Sequence, residues 1–167
     1  MTDQLLNVGG RWLDRSATTL MLFFMMDRAL KMLALAHFFQ RPAPAPPHNG
    51  WPTVTILSPI TRGVSNLPHA LRCRAALHYP AAIQHLLICD AGDGESIACC
   101  RAWQHAHPQL TSTLFLVAPT TRPIATKIEK LNAALPHATG EVLLFVDDDV
   151  ALRPDTLTTL LPYLDTA

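Results

Sequence analysis

No sign of charge dominates this sequence. Lys plus Arg number 13 and Asp plus Glu number 13, so there is no electrostatic reason to expect nucleic acid as a partner. There is no Cys-x-x-Cys pair. The cysteines are Cys73, Cys89, Cys99 and Cys100. The adjacent Cys99 and Cys100 suit neither an ordinary disulfide nor a zinc knuckle, and the set reads as small buried residues in a reducing compartment. No Gly-x-Gly-x-x-Gly follows the first strand-like run, which argues against a dinucleotide-binding fold. No basic leader precedes an Ala-x-Ala site, which argues against a cleaved signal peptide. His105 and His107 alternate, but no carboxylate or cysteine stands close to them in sequence, so they carry no metal argument. What the chain does have is apolar residues, 49% against 16% charged in 167 residues. That is enough for one packed domain and too much for disorder.

Composition divides the chain into zones. Residues 1–17 are polar and contain Gly9-Gly10, the pattern of a loose start. Residues 18–39 are strongly apolar and predict a membrane-associated helix. Residues 40–52, QRPAPAPPHNGWP, predict an extended, semi-rigid linker, because proline fixes φ and removes donors. Residues 53–167 read as the folded domain.

The apolar zone is about as long as a spanning helix, but Asp27, Arg28 and Lys31 fall near its middle. Each such charge costs roughly 2.5–3.5 kcal/mol at a bilayer centre, while each Leu or Phe returns about 0.3–0.6 kcal/mol. Five Leu and four Phe do not offset three charges. The charges share one side of a helix, and Asp27 can pair with Lys31 one turn on. A helix lying in the interface fits at least as well as a spanning one. Spanning requires a neighbour that shields the charges, and docking on a protein surface is the third option.

From Val54 the pattern alternates. Short apolar runs at 54–58, 85–89, 113–117 and 141–146 predict four strands. Helical spacing at 66–77, 95–105, 127–135 and 155–164 predicts four helices, with Pro68 in the first turn of one and Asp155 capping the last. Strand and helix in turn, with apolar strands, make an α/β fold, a parallel sheet with helices on both faces. Ligands of such sheets bind outside the carboxyl ends of the strands.

Two of those ends are acidic: Asp90 after the second strand, and Asp147-Asp148-Asp149 after the fourth. Three consecutive carboxylates repel one another unless a cation joins them. Hard oxygens suit Mg²⁺ or Mn²⁺, which bind through one or two carboxylates plus substrate phosphates. In an extended segment Asp147 and Asp149 point one way and Asp148 the other. The first two therefore make a natural pair toward a metal-diphosphate. For a triplet taken alone, a solvated acidic turn is the better explanation.

The triplet is not alone. TKIEKLNAAL (126–135) leads through HATGE (137–141) into an apolar strand and then the triplet. This run resembles the pattern G-K-x-x-A-L-N-x-x-L, A-x-G-E, strand, D-x-D of glycosyltransferase family 2. FFQRP (38–42), VTILSPI (54–60), Arg62-Gly63 with Asn66-Leu67, and His78-Tyr79-Pro80 resemble the ceramide glucosyltransferase-like branch, family 21, which includes bacterial hopanoid-associated glycosyltransferases. The likeness covers residues 35–167 and implies a GT-A (Rossmann-like) domain. It also implies hexosyl transfer from a nucleotide sugar, UDP-linked, to a lipid acceptor with Mg²⁺ or Mn²⁺. It places the protein at the cytoplasmic membrane, with the folded part facing the cytoplasm.

The resemblance assigns Asp147 and Asp149 to the D-x-D pair that holds ribose and metal. Asp90 takes the position of the acid that reads the uracil ring, Lys127 that of the lysine near the donor, and Pro59 closes the strand against which the base packs. This chain departs from the pattern at Thr126, where glycine is common, and at Lys130, where a small residue is usual. The family's catalytic Asp and its Gln-x-x-Arg-Trp motif come after D-x-D and have no counterpart in these residues. The resemblance thus leaves a transferase whose base lies outside this sequence, or a non-catalytic nucleotide-sugar-binding module. It identifies the sheet as the donor half of a GT-A domain that is incomplete at the C-terminus.

Overall fold

The computed structural model describes residues 2–40, 44–46, 50–61, 65–118 and 126–164, and side chains from Ser16 onward. The chain divides into two units, residues 1–43 and 44–167.

The first unit is a helix, α1, Thr2–Gln40. It begins at Thr2 rather than near residue 18, so the loose start expected from Gly9-Gly10 is corrected. Glycine in a helix costs about 1 kcal/mol relative to alanine, and two of them do not break a helix whose neighbours propagate it. The charges behave as their spacing requires: Lys31 Nζ lies 2.7 Å from Asp27 Oδ2, and the Arg28 guanidinium sits 4.9 Å above the Phe24 ring. No described helix is long and apolar enough to cross a membrane. Of the Pro-rich stretch, Gln40 ends α1 and 44–46 and 50–52 are irregular; 41–43 and 47–49, like Arg62 and Gly63, lie outside the described residues.

In the second unit the β-branched and apolar runs form strands β1 (Val54–Pro59), β2 (Ile83–Asp90), β3 (Thr111–Val117) and β4 (Val142–Phe145). Between them lie helices α2 (Leu67–Ala75), α3 (Gly94–Ala106) and α4 (Thr126–Ala134), and α5 (Thr156–Leu160) follows β4. The sheet has order β3-β2-β1-β4, and every pair is parallel. β1 is central and buried throughout, as a strand covered on both faces is, its Thr55 and Ser58 hydroxyls engaged with Gln84 and Arg74.

Side chains alternate between the two faces. On one face Leu87 and Cys89 of β2 meet Leu67 and Leu71 of α2 and Ile97, Cys100 and Trp103 of α3. On that face, too, Val54 and Ile56 of β1 meet Leu157 of α5. On the other face Leu57, Leu86 and Ile88 pack on Ala134 and Leu131 of α4. Helices therefore cover both faces, as the alternation predicts.

Two backbone details set the register beside β4. Glu141 Oε2 accepts from Thr53 N at 2.8 Å. A Cβ on Gly140 would lie 2.4 Å from Thr55 N and 2.6 Å from Val54 C, so only glycine fits where this turn crosses β1. Asp155 occupies the N-cap position of α5, yet its side chain does not cap it. The capping expectation is corrected: both carboxylate oxygens are held by Arg153, at 3.2 and 3.1 Å.

Candidate functional site at the carboxyl edge of the sheet

Parallel strands in register carry their carboxyl ends to one edge. Pro59 pairs with Ile88, and Leu57 with Phe145. Asp147, two residues beyond Phe145, therefore stands level with Pro59, and Asp90 stands level with Thr61.

β4 ends at Phe145, and Asp148-Asp149 form a turn. The triplet is thus not the extended continuation that the alternation argument assumed. Alternation in exposure nonetheless occurs: Asp147 and Asp149 are exposed and Asp148 is buried. The cause is specific. Asp148 Oδ2 accepts from the Thr61 hydroxyl at 2.8 Å and from the Thr61 N–H. This draws the middle carboxylate toward the end of β1 and leaves its neighbours outside.

Lys127, on the first turn of α4, places Nζ 2.8 Å from Asp147 Oδ1. The hydrogen bond to Asp147, then the summed field of Asp147, Asp148 and Asp149, holds the ammonium above the ordinary lysine range. Pro59, Lys127 and Asp147 line one open groove of about 450 Å³, whose apolar wall includes Leu131, Phe145 and Val150. Asp90 and Asp149 are not among the groove's lining residues. Asp90 Oδ2 instead takes 3.1 Å from Lys130 Nζ.

Lys130 and Arg74 were not expected at this edge. The departure at Lys130 has a structural role. Its side chain is 2% exposed, and its ammonium donates to Ile60 O as well as to Asp90, joining the ends of β1 and β2. Arg74 reaches the loop after β4 from the opposite face. One signal for Arg74 was legible: Leu67, Ala70, Leu71 and Arg74 are the buried positions of α2, the i, i+3, i+4, i+7 stripe of a core-facing helix. Asp93, the other acid near Asp90, is the N-cap of α3 and accepts from Ser96 N at 3.2 Å. His107 bonds Trp103 O at 2.9 Å, as an ordinary structural histidine does.

The donor set suits a hard divalent cation on one condition. Among the described residues no group of three His, Cys, Asp or Glu could hold a metal alone. A bound Mg²⁺ or Mn²⁺ would need phosphate and water besides the carboxylate oxygens of Asp147 and Asp149, the usual coordination of these ions. Lys127 already engages Asp147 Oδ1, so a metal there would use the other oxygen or displace the ammonium.

Comparison with known proteins agrees with the fold. A mannosyltransferase from Pyrobaculum calidifontis, in complex with GDP-Man and Mn²⁺, superposes with a TM-score of 0.65 at 27% identity over 81% of this chain and 39% of its own. S. aureus TarS in complex with UDP-GlcNAc superposes with a TM-score of 0.56 at 18% identity over 68% of this chain and 31% of its own, a likeness of fold. The chain thus spans less than half the length of either. No curated protein matches it significantly. The glycosyl transferase family 21 model matches residues 19–166. With its four-stranded parallel sheet on the GT-A plan and acids at the sheet's carboxyl edge, the chain belongs to glycosyl transferase family 21.

Proposed function

We propose that residues 53–167 bind a UDP-sugar with Mg²⁺ or Mn²⁺ for hexosyl transfer to a lipid acceptor. The observation that carries this reading is the meeting of Pro59, Lys127 and Asp147 in one groove at the carboxyl edge, beside the exposed Asp149. Pro59 and Leu131 offer an apolar surface for a planar base. Asp90, with one oxygen on Lys130, keeps the other to accept from a ring N–H. Lys127 is long enough to turn from Asp147 to a phosphate. A bound cation would neutralise the diphosphate as leaving group.

The test is a binding titration of UDP, UDP-sugars and GDP with and without Mn²⁺. UDP affinity is expected to rise with Mn²⁺, and Asp149→Ala to lose most of that rise, roughly tenfold or more, the worth of one charge-assisted contact. UDP binding that ignores Mn²⁺ would sink the metal reading. Tighter Mn²⁺-dependent binding of GDP than of UDP would reassign the base.

We also propose that α1 anchors the chain on the cytoplasmic face of the membrane, lying in the interface. Its apolar side chains are uncovered, with Leu20 74%, Phe23 66% and Phe39 75% exposed, and the Asp27–Lys31 pair gives it a polar side. Deleting residues 1–40 is expected to abolish co-sedimentation with phospholipid vesicles. Equal sedimentation of the full chain and the deletion, or none by either, removes the anchor.

A further inference from the structure

Arg74 is a costly residue for its place. It lies on the buried stripe of α2 and is 1% exposed. A leucine or methionine there would simply extend the cluster formed by Leu67, Leu71 and Cys100. Arg74 forms no ion pair within bonding distance among the described residues. Its Nε has no partner. A buried guanidinium without a bonded carboxylate is unfavourable unless something nearby requires its charge.

The hydrogen bonds it does make point to that requirement. Nη1 donates to Ser58 Oγ at 2.6 Å, on β1. Nη2 donates to the main-chain carbonyl of Asp147 at 3.0 Å. One planar group thus ties the central strand to the first residue of the acidic triplet. Its charge also lies close enough to Asp148 to be affected by that carboxylate. Burial lowers its pKa to about 10, which leaves it a cation at neutral pH. From the other side, Thr61 holds the Asp148 carboxylate. The peptide between Asp147 and Asp148 is therefore fixed at both ends, by Arg74 on the carbonyl and Thr61 on the following side chain. Fixing that peptide turns Asp148 in, and so decides that Asp147 and Asp149 face out together.

We infer that Arg74 is a positioning residue: it holds the acidic loop from beneath in the shape that presents Asp147 and Asp149 to a cation-bound diphosphate. This rests on the nucleotide-sugar reading above. Lys130 makes the corresponding contact on the opposite face, but to Asp90 and Ile60. The two buried cations therefore serve different parts of the donor, Arg74 the metal-diphosphate end and Lys130 the base end. The guanidinium fork suits the first task because its donors are held at a fixed spacing in one plane, whereas an ammonium's are not.

The experiment compares UDP affinity with Mn²⁺ and in EDTA for the full chain and for Arg74→Lys, Arg74→Met, Ser58→Ala and Lys130→Met. Each is measured at a temperature where circular dichroism shows the variant folded. The expected result for Arg74→Lys and Arg74→Met is a roughly tenfold fall in the Mn²⁺/EDTA affinity ratio, the size of one lost charge-assisted hydrogen bond, with EDTA affinity nearly unchanged. Ser58→Ala should move the ratio the same way and less. Lys130→Met should weaken both affinities together and leave the ratio alone. A role in packing alone would lower the melting temperature of the Arg74 variants without changing the ratio, and that outcome overturns the inference. If Arg74→Met does not fold, Arg74→Lys and Ser58→Ala decide the matter by the same ratio. If the unsubstituted chain shows no Mn²⁺ effect, the nucleotide-sugar reading fails first and the Arg74 inference falls with it. A normal Mn²⁺ effect with unmoved Arg74 variants rejects the inference alone.

Discussion

Replacing Asp148 by alanine is expected to lower the unfolding free energy by about 3 kcal/mol, the usual consequence of removing one partner from a buried charged network. The residue is 3% exposed. Its carboxylate accepts from the Thr61 N–H and hydroxyl, and it is the carboxylate whose charge favours the buried Arg74 cation. Alanine leaves the Thr61 donors without their acceptor and a guanidinium in low dielectric without its compensating charge. Asp149 is exposed, so Asp149→Ala should stay within about 0.5 kcal/mol. Asp148→Asn keeps an acceptor for Thr61 and loses only the charge, and should fall between them. Denaturant melts of the three variants measure this. If Asp148→Ala and Asp149→Ala cost the same, the middle carboxylate does not brace the loop. If it costs more, nucleotide binding reports on the two outer acids and stability on the middle one.

Acid should destabilise the second unit through His85. The ring is 1% exposed on β2, stands edge-on to Trp103 at 5.5 Å, and has no hydrogen-bond partner on either nitrogen. Burial first, and the nearby Arg74 charge second, depress its pKa from 6.5 to about 4. Above the unfolded value both states hold the neutral ring and folding is unaffected. Below it the unfolded chain takes up a proton that the folded chain refuses, so stability falls until the folded ring also titrates. The window runs from pH 6.5 down to about 4. At about 1.4 kcal/mol per pKa unit, the loss across it approaches roughly 3 kcal/mol. His85→Leu keeps the bulk and removes the titration. Its stability should therefore fall less between pH 7 and pH 4.5 than that of the unsubstituted chain, by about 2 kcal/mol. Parallel pH profiles for the two proteins would show that His85 does not carry the acid response.

Where each element forms was largely legible in the sequence, because short apolar runs and helical spacing report burial directly. Strand β1 was found as a run of buried residues, and α3 and α4 fell within a residue of their expected limits. The acids at the strand ends were legible for the same reason, since a parallel sheet carries those ends to one edge. The residues that shape the edge were not. The stripe of α2 separates Arg74 from its exposed neighbour Arg72, but the partners of Arg74, Ser58 and Asp147, are set by the fold. Lys130 looked like a disturbance of a pattern, because its partners Ile60 and Asp90 are 70 and 40 residues away. Thr61 carries no signal in its surroundings at all. Pairings across such distances follow from topology, and local spacing does not encode them. The start of α1 was missed because Gly9-Gly10 weighs heavily in a short window and little in a long helix.

The strand order has a consequence for how the chain acquires its site. Among the described residues β1 is the first strand, yet one of its two neighbours is β4, the last of them. Thr53 and Glu141, which close that pairing, stand 88 residues apart. Contacts of such long range close large loops and tend to form late and slowly. During synthesis β1, β2 and β3 can associate while β4 is still unmade. Until then β1 has one side without its neighbour, a template on which another chain could pair. The acidic loop meets Arg74 and Thr61 only when β4 docks, so the donor site and the protection of β1 are completed in the same step.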